Sequence, residues 1–248
     1  MNRSLRKEYL AALGLESWVP RSAPPEPSAP AGGSLPRAAP PAAASAAGPT
    51  PAAGAAALRE RPCDWTQLRA RVAACTLCPL CKTRTQTVFG VGDPEADWLI
   101  VGEAPGADED RQGEPFVGRA GQLLNAMLLA IGLKREQVYI ANILKCRPPR
   151  NRDPGPQEVA QCLPYLERQI GLLEPKIMLA VGRISAHNLL KTETSLGRLR
   201  QQVHYFGVAR VPLVVTYHPA YLLREPAEKR KAWDDLKFAR EVYTRVQR

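Results

Sequence analysis

Short, almost unbroken apolar runs alternate with longer segments of helical periodicity through the last three quarters of the chain. The apolar runs are Trp98–Val101, Val138–Leu144, Ile177–Val181 and Leu213–Tyr217. The segments of helical pattern are Ala120–Ile131, Pro156–Leu172, Ile184–Leu190 and Lys229–Val246. Such alternation, with strands that are apolar on both sides, is typical of a parallel sheet covered by helices. The pattern therefore predicts an α/β fold with a central four-stranded parallel sheet.

The first quarter of the chain has a different composition. Ten of the 24 prolines fall within residues 20–51, where they are mixed with alanine, glycine and serine. A segment with so little apolar surface to bury is expected to remain disordered. We therefore interpret residues 19–61 as a disordered linker and predict one folded domain over residues 62–248.

Ahead of that linker, residues 1–18 contain a short helix candidate at 4–15. Ser4 is a suitable cap, and leucine and tyrosine side chains fall on one side of the helix. An apolar-faced helix on a flexible tether is typical of a peptide that docks on a partner protein. A remnant without function is the alternative interpretation.

The charge of the chain favours a polyanionic partner. Its 34 basic and 24 acidic residues give a net charge of +10, of which +7 belongs to the predicted domain. The sequence shows neither the roughly 18 continuous apolar residues of a membrane helix nor the apolar core of an export signal. We therefore expect a cytoplasmic monomer without membrane contact, in which cysteines serve as metal ligands or free thiols rather than disulfides.

Four cysteines form two pairs. Cys75 and Cys78 are two residues apart, whereas fifteen residues separate Cys146 from Cys162. A closely spaced pair with a remote pair is typical of a four-thiolate zinc or iron–sulfur site. Ordinary buried thiols are the alternative, because free cysteine is among the most buried residue types.

Polar residues follow the predicted strands where each one ends. Glu103 follows the first strand, Asn142 lies near the end of the second, and His218 follows the fourth. Because ligands of parallel sheets bind at the carboxyl ends of strands, we expect these three side chains to converge. The glycine- and proline-rich loop after the first strand carries one aromatic residue, Phe116, which suits either a plug on the core or a surface for base stacking.

This loop, VGEAPGADEDRQGEPFVGRAGQLL, resembles the family 4 uracil-DNA glycosylases, the iron–sulfur branch of their superfamily. The segments Cys75–Cys78, Asn142–Pro149 and Tyr217–Ala220 carry the same resemblance, which covers the chain from Cys75 onward. It implies a three-layer αβα fold and an enzyme that removes uracil from DNA and leaves an abasic site. A [4Fe-4S] cluster is implied as well.

The resemblance also implies roles for individual residues. The cluster ligands would be Cys75, Cys78, Cys146 and Cys162, with Cys81 as a competitor of Cys78 and Cys63 as a non-ligand. The substrate-binding residues would be Gly102, Glu103, Ala104, Phe116, Asn142 and His218. Within this set Phe116 stacks on uracil, Asn142 reads its Watson–Crick edge and His218 lies near its O2.

The water-activating residue is less defined, because Ala104 stands where the best-known members of the superfamily have an aspartate. We expect Glu103 or Glu109 to act in its place beside the catalytic His218, and the reaction to depend more on leaving-group stabilisation than on a strong base.

Uracil-containing DNA is the expected partner, with a repair or replication protein as a second one at the N-terminal helix. We expect phosphate contacts from Arg147, Arg150 and Arg152 beside Lys145, together with Arg198, Arg200 and Arg210. A wedge that enters the duplex is expected among Leu222, Leu223 and Arg224. The alternative function is a non-catalytic nucleic-acid-binding repair module with a metal-stapled fold.

Overall fold

The computed structural model describes residues 63–247, so the predictions for residues 1–18 and 19–61 lie outside the described residues. The strands are β1 (Val91–Gly92), β2 (Trp98–Gly102), β3 (Tyr139–Asn142), β4 (Ile177–Val181), β5 (His204–Phe206) and β6 (Val211–Thr216). The α-helices of the described part are α1 (Trp65–Ala73), α2 (Ala107–Gln112), α3 (Arg119–Ala130), α4 (Pro156–Leu173), α5 (Arg183–Leu190), α6 (Leu196–Leu199), α7 (Pro219–Arg224) and α8 (Lys229–Val246).

The strands form one mixed sheet in the order β1-β3-β2-β4-β6-β5. The four strands expected from the sequence are neighbours at its centre and pair in parallel. An antiparallel strand is added at each edge, so the predicted four-stranded sheet is incomplete. Both edge strands were missed because they span only two and three residues, too few to show a period.

Alternating side chains of the central strands divide the core into two clusters. On one face, Leu99 and Val101 pack with residues of α1, α4 and α5. On the other face, Trp98 and Ile100 pack with residues of α3, α7 and α8. The sheet therefore lies between two helical layers, which explains why its central strands are mostly apolar on both faces.

Local sequence explains where α4 begins. Pro156 opens α4 at a position where its missing N–H costs nothing, and the Glu158 carboxylate accepts a hydrogen bond from the Gly155 N–H at 2.7 Å. The sequence predicted four of these helices, α3, α4, α5 and α8, to within one residue at each end, but it did not predict α1. Among residues 63–247, no helix combines the length and the apolar character needed to cross a membrane.

Candidate active site

The carboxyl ends of the central strands open into one cleft of about 620 Å³. The residues predicted from the sequence that line it are Glu103, Ala104, Glu109, Phe116, Asn142 and His218. Strand register explains this convergence, because Gly102 pairs directly with Asn142 in the parallel ladder. The expected meeting of an acid, an amide and an imidazole at one edge of the sheet is present.

Gly102 borders the cleft from behind, where two side chains pass close to its backbone. A methyl group at Gly102 would lie 2.6 Å from Cζ of Phe116 and closer still to Oδ1 of Asn142. Only glycine leaves space for both groups at this point. The Phe116 ring and the Asn142 amide therefore share one wall of the cleft.

The amide of Asn142 carries an unused hydrogen-bond acceptor. Its side chain is 2% exposed, and its Oδ1 is one of the buried polar atoms for which the described residues supply no partner. Its main-chain oxygen accepts a hydrogen bond from Lys145 Nζ at 2.9 Å. Because a buried polar atom without a partner is costly, Oδ1 is suited to a ligand that donates a hydrogen bond from the cleft.

His218 caps the N-terminus of α7 and lies against Phe116. Its Nδ1 accepts a hydrogen bond from the Ala220 N–H at 3.2 Å, so a neutral ring carries its proton on Nε2. Burial lowers the pKa of His218 to about 4, and the charge of Arg224 acts in the same direction. Its ring centroid is 5.6 Å from that of Phe116, with an angle of 31° between the planes. The cleft therefore contains a neutral imidazole with an N–H donor.

The two predicted acids differ in their surroundings. Glu109 uses both carboxylate oxygens within its own loop, where they accept hydrogen bonds from the N–H groups of Gly106, Val117 and Gly118. Glu103 lines the cleft half-buried, and burial raises the pKa of its carboxyl group. The negative charge of Asp153 raises that pKa further. Glu103 is consequently the acid whose carboxyl pKa is shifted upwards, in the direction that favours a general base.

A second, smaller cavity is lined by Cys75, Cys78, Cys146 and Cys162. Cys146 and Cys162 are buried, and all four are free thiols. Cys81 lies near Cys78 but does not line this cavity, and Cys63 lies in the core. Within residues 63–247, no three His, Cys, Asp or Glu side chains are arranged to hold a single metal ion.

The guanidinium group of Arg84 holds two of the cysteine segments together. One of its nitrogens donates to Cys146 Sγ at 3.0 Å, and the other donates to the main-chain oxygens of Cys75 at 2.8 Å and Ala73 at 3.2 Å. Burial raises the pKa of the Cys146 thiol, while the hydrogen bond from Arg84 lowers it. A cation at this position stabilises a thiolate.

Lys145 is a second cation beside this cavity and is only 1% exposed. Its ammonium group donates to Gln169 Oε1 at 2.6 Å as well as to the main chain of Asn142, and its main-chain N–H donates to Cys162 Sγ at 3.1 Å. Burial lowers the pKa of Lys145 to about 8, and the thiols of Cys162 and Cys146 oppose that shift. Buried cations are normally paired with an anion. In the described part of the chain, the groups whose charge would oppose this lowering of the Lys145 pKa are the Cys162 and Cys146 thiols and not carboxylates.

Two basic residues in the segments expected to contact phosphates point into the protein, so that expectation is wrong for them. Lys145 points into the core, as described above. Arg200 forms a buried ion pair with Asp235 at 2.6 Å, so its charge is already used inside the protein. Arg152 does line the cleft, although it also pairs with Glu158.

Other cleft residues were not predicted as a set. Arg183 and Arg224 line the cleft, as do Tyr217 and Tyr221, whose rings lie 5.2 Å apart. Position after a strand end was the available signal for Arg183 and Tyr217.

Among the wedge candidates Leu222 is 1% exposed within the core, so only Leu223 and Arg224 remain accessible.

Comparison with known proteins relates the chain to one family. The model of the uracil DNA glycosylase superfamily matches residues 89–237. The type-4 uracil-DNA glycosylase of Archaeoglobus fulgidus is 46% identical over 173 residues, which cover 67% of this chain and 86% of that protein. For the type-4 enzyme of Pyrobaculum aerophilum the identity is 44% over 179 residues, with coverages of 70% and 91%. A type-5 uracil-DNA glycosylase of Thermus thermophilus is 35% identical over 149 residues, with coverages of 53% and 68%.

We expect the His218 imidazole to stay neutral, with its proton on Nε2, until the pH falls to about 4. Nitrogen-15 correlation spectra of histidine-labelled protein between pH 8 and pH 4 measure both properties, and His218→Ala identifies the signal. Because an unfolded histidine takes up its proton near pH 6.5, His218 should also reduce stability as the pH falls from about 6.5 towards 4. A titration midpoint near 6.5, or a proton on Nδ1, would contradict this account.

Proposed function

Because this chain belongs to the uracil DNA glycosylase superfamily, we propose that it is a DNA repair enzyme that excises uracil from DNA. The reaction is hydrolysis of the N-glycosidic bond of a flipped-out deoxyuridine, which leaves an abasic site. The observation that carries the proposal is the buried Oδ1 of Asn142, for which residues 63–247 supply no partner, in a cleft beside an aromatic ring and a neutral imidazole.

Asn142 is suited to read the edge of uracil. Its Oδ1 accepts from the N3–H of the base, and its amide nitrogen donates to O4. Cytosine presents an acceptor at N3 and a donor at C4, so the same amide would face two mismatched groups. A site built for one hydrogen-bond pattern rejects the reverse pattern strongly, because buried polar groups are left unpaired.

Phe116 provides the stacking surface for the extruded base. Extrusion of a nucleotide from DNA costs a few kcal/mol, and stacking on an aromatic ring offsets part of that cost. Arg183 and Arg224, which line the same cleft, are placed to contact flanking phosphates. Ala104 lines the cleft with a small side chain that leaves space for the base, while Gly102 leaves space for Phe116 and Asn142 behind it.

His218 is the proposed catalytic donor to the leaving group. When the N-glycosidic bond breaks, the departing uracil carries negative charge, which a donor to O2 stabilises. The Ala220 N–H already occupies Nδ1, so the proton on Nε2 is available to the base. A pre-positioned donor of this kind typically contributes about 100- to 1,000-fold to the rate.

Glu103 is the proposed residue for orienting the attacking water. Ala104 has no side chain able to do so, and Glu109 has both of its oxygens engaged by main-chain N–H groups. Glu103 lines the cleft, and its raised pKa suits a weak general base. We therefore assign water orientation to Glu103 and a positioning role to Glu109.

The four thiols are proposed to hold a [4Fe-4S] cluster. Each thiolate of such a cluster binds a separate iron, so its ligands surround a cavity instead of converging on one ion. That requirement fits Cys75, Cys78, Cys146 and Cys162, and the cations Arg84 and Lys145 suit its negative charge. Glycosidic hydrolysis requires no electron transfer, so the group would be structural and join the segments that carry its ligands.

Substitution of Asn142 or of His218 is expected to reduce the rate of uracil release. Asn142→Ala and His218→Ala should each lower kcat/KM on a deoxyuridine oligonucleotide by about 100-fold or more, because each removes a hydrogen bond to the base. Single- and double-stranded oligonucleotides should both be assayed by release of the free base.

Two residues of α5 supply matched controls. Asn188 donates to the Ile184 main-chain oxygen within its own helix, and His187 contacts the Thr194 oxygen at the surface. Asn188→Ala and His187→Ala should retain nearly full activity. A folded wild-type protein that releases no uracil would favour the non-catalytic nucleic-acid-binding alternative.

The freshly purified protein is expected to contain about four iron atoms per chain and an equivalent amount of sulfide. Cys146→Ser should lose most of both, because it removes a cavity-lining ligand. Cys81→Ser is the matched control and should retain them, since Cys81 does not line the cavity. Stoichiometric zinc in place of iron, or iron loss in Cys81→Ser, would contradict the assignment.

A further inference from the structure

Phe116 has an unusual backbone conformation for a bulky residue. Its φ angle is 55°, in the left-handed region that favours glycine, and its side chain is only 6% exposed. A non-glycine residue persists there only where its surroundings over-determine the conformation. The ring that forms one wall of the cleft therefore depends on contacts that hold its main chain.

Glu109 supplies the contacts on one side of Phe116. Its Oε1 accepts from the N–H groups of Val117 at 3.0 Å and Gly118 at 3.1 Å. Its Oε2 accepts from the Gly106 N–H at 3.1 Å, at the start of the same loop. One carboxylate thus joins the chain that follows Phe116 to the chain that follows β2.

Arg135 supplies the contacts on the other side. One of its terminal nitrogens donates to the Pro115 oxygen at 2.6 Å. The other donates to the Phe116 oxygen at 3.3 Å and to Asn125 Oδ1 at 3.2 Å. Gly121 of α3 completes the enclosure, because a methyl group there would collide with the Phe116 carbonyl.

We propose that Glu109 and Arg135 clamp the Phe116 backbone from opposite sides, and that Arg135 is thereby a positioning residue for the stacking wall of the base pocket. The sequence motifs do not include Arg135, which lies outside the cleft and touches neither the base nor His218. The inference rests on the proposed function, because it assigns a base to the surface that the clamp orders.

The clamp lowers the free-energy cost of base binding, because it holds Phe116 in the stacking conformation in the free protein. Without Arg135, the segment from Pro115 to Phe116 loses the cation that joins its carbonyls to α3, and φ can relax to an ordinary value. Base binding must then supply the free energy of restoring the left-handed conformation. A lysine at position 135 reaches one carbonyl but lacks the planar fork, so it should restore the effect only in part.

The first test measures the backbone conformation and ring position of Phe116. Carbon-13 shifts of Phe116 Cα and Cβ, with nuclear Overhauser contacts between the Phe116 and His218 rings, should change in Arg135→Ala and recover partly in Arg135→Lys. Lys134→Ala is the matched control, because it removes an exposed positive charge one residue away, and its spectrum around Phe116 should match the wild type. Unchanged Phe116 shifts and ring contacts in folded Arg135→Ala would overturn the clamp.

The second test measures affinity for free uracil by calorimetry. Arg135→Ala should weaken it about 5- to 150-fold, the range expected for loss of one base–aromatic stack, whereas Lys134→Ala should not. In a Phe116→Ala background, the further substitution Arg135→Ala should have almost no effect, because the two residues act as one unit. Full additivity of the two losses would overturn the clamp.

The two proposals fail in different ways. A wild-type protein that neither releases nor binds uracil overturns the proposed function, while the Phe116 spectra still decide whether the clamp exists. If Arg135→Ala does not fold, Arg135→Lys carries both measurements: an intermediate affinity supports the clamp, and wild-type affinity with unchanged spectra overturns it.

Discussion

The register of the parallel strands is the constraint on which the cleft depends. Gly102 pairs with Asn142 in the ladder between β2 and β3, and the absence of a side chain at Gly102 lets Phe116 approach the Asn142 amide. A slip of one residue would turn Asn142 to the opposite face of the sheet. The same geometry brings His218 to this edge, because it lies two residues beyond β6. The site is therefore a consequence of strand pairing, and the loops complete it.

The end of β3 connects this cleft to the cysteine cavity. Asn142 lines one and Cys146 lines the other, and between them Lys145 turns its side chain inward. Its ammonium group holds the Asn142 carbonyl and Gln169, while Gln169 donates in turn to the Phe89 oxygen. A buried cation in such a network is costly unless negative charge lies nearby. The Cys146 and Cys162 thiols can supply that charge only as thiolates, which is the form in which the proposed cluster would bind them.

Much of this arrangement could be predicted from the sequence, for identifiable reasons. Strand ends converge in any parallel sheet, so Glu103, Asn142 and His218 could be placed together from four apolar runs alone. Side-chain direction beyond a strand end could not be predicted in the same way. Lys145 and Arg200 resemble surface cations in sequence, yet they point inward because Gln169 and Asp235 offer buried partners. Their partners lie 24 and 35 residues away in the chain, beyond the reach of any local pattern.

The central proposal is that Asn142 Oδ1 accepts a hydrogen bond from the N3–H of uracil. The most direct measurement compares the affinities of the protein for two free bases. Calorimetric titration of the wild-type protein with uracil and with 3-methyluracil isolates this contact, because the methyl group removes the donor and occupies its place. The account predicts binding of uracil and at least about 100-fold weaker binding of 3-methyluracil. Equal affinity for the two bases would contradict it.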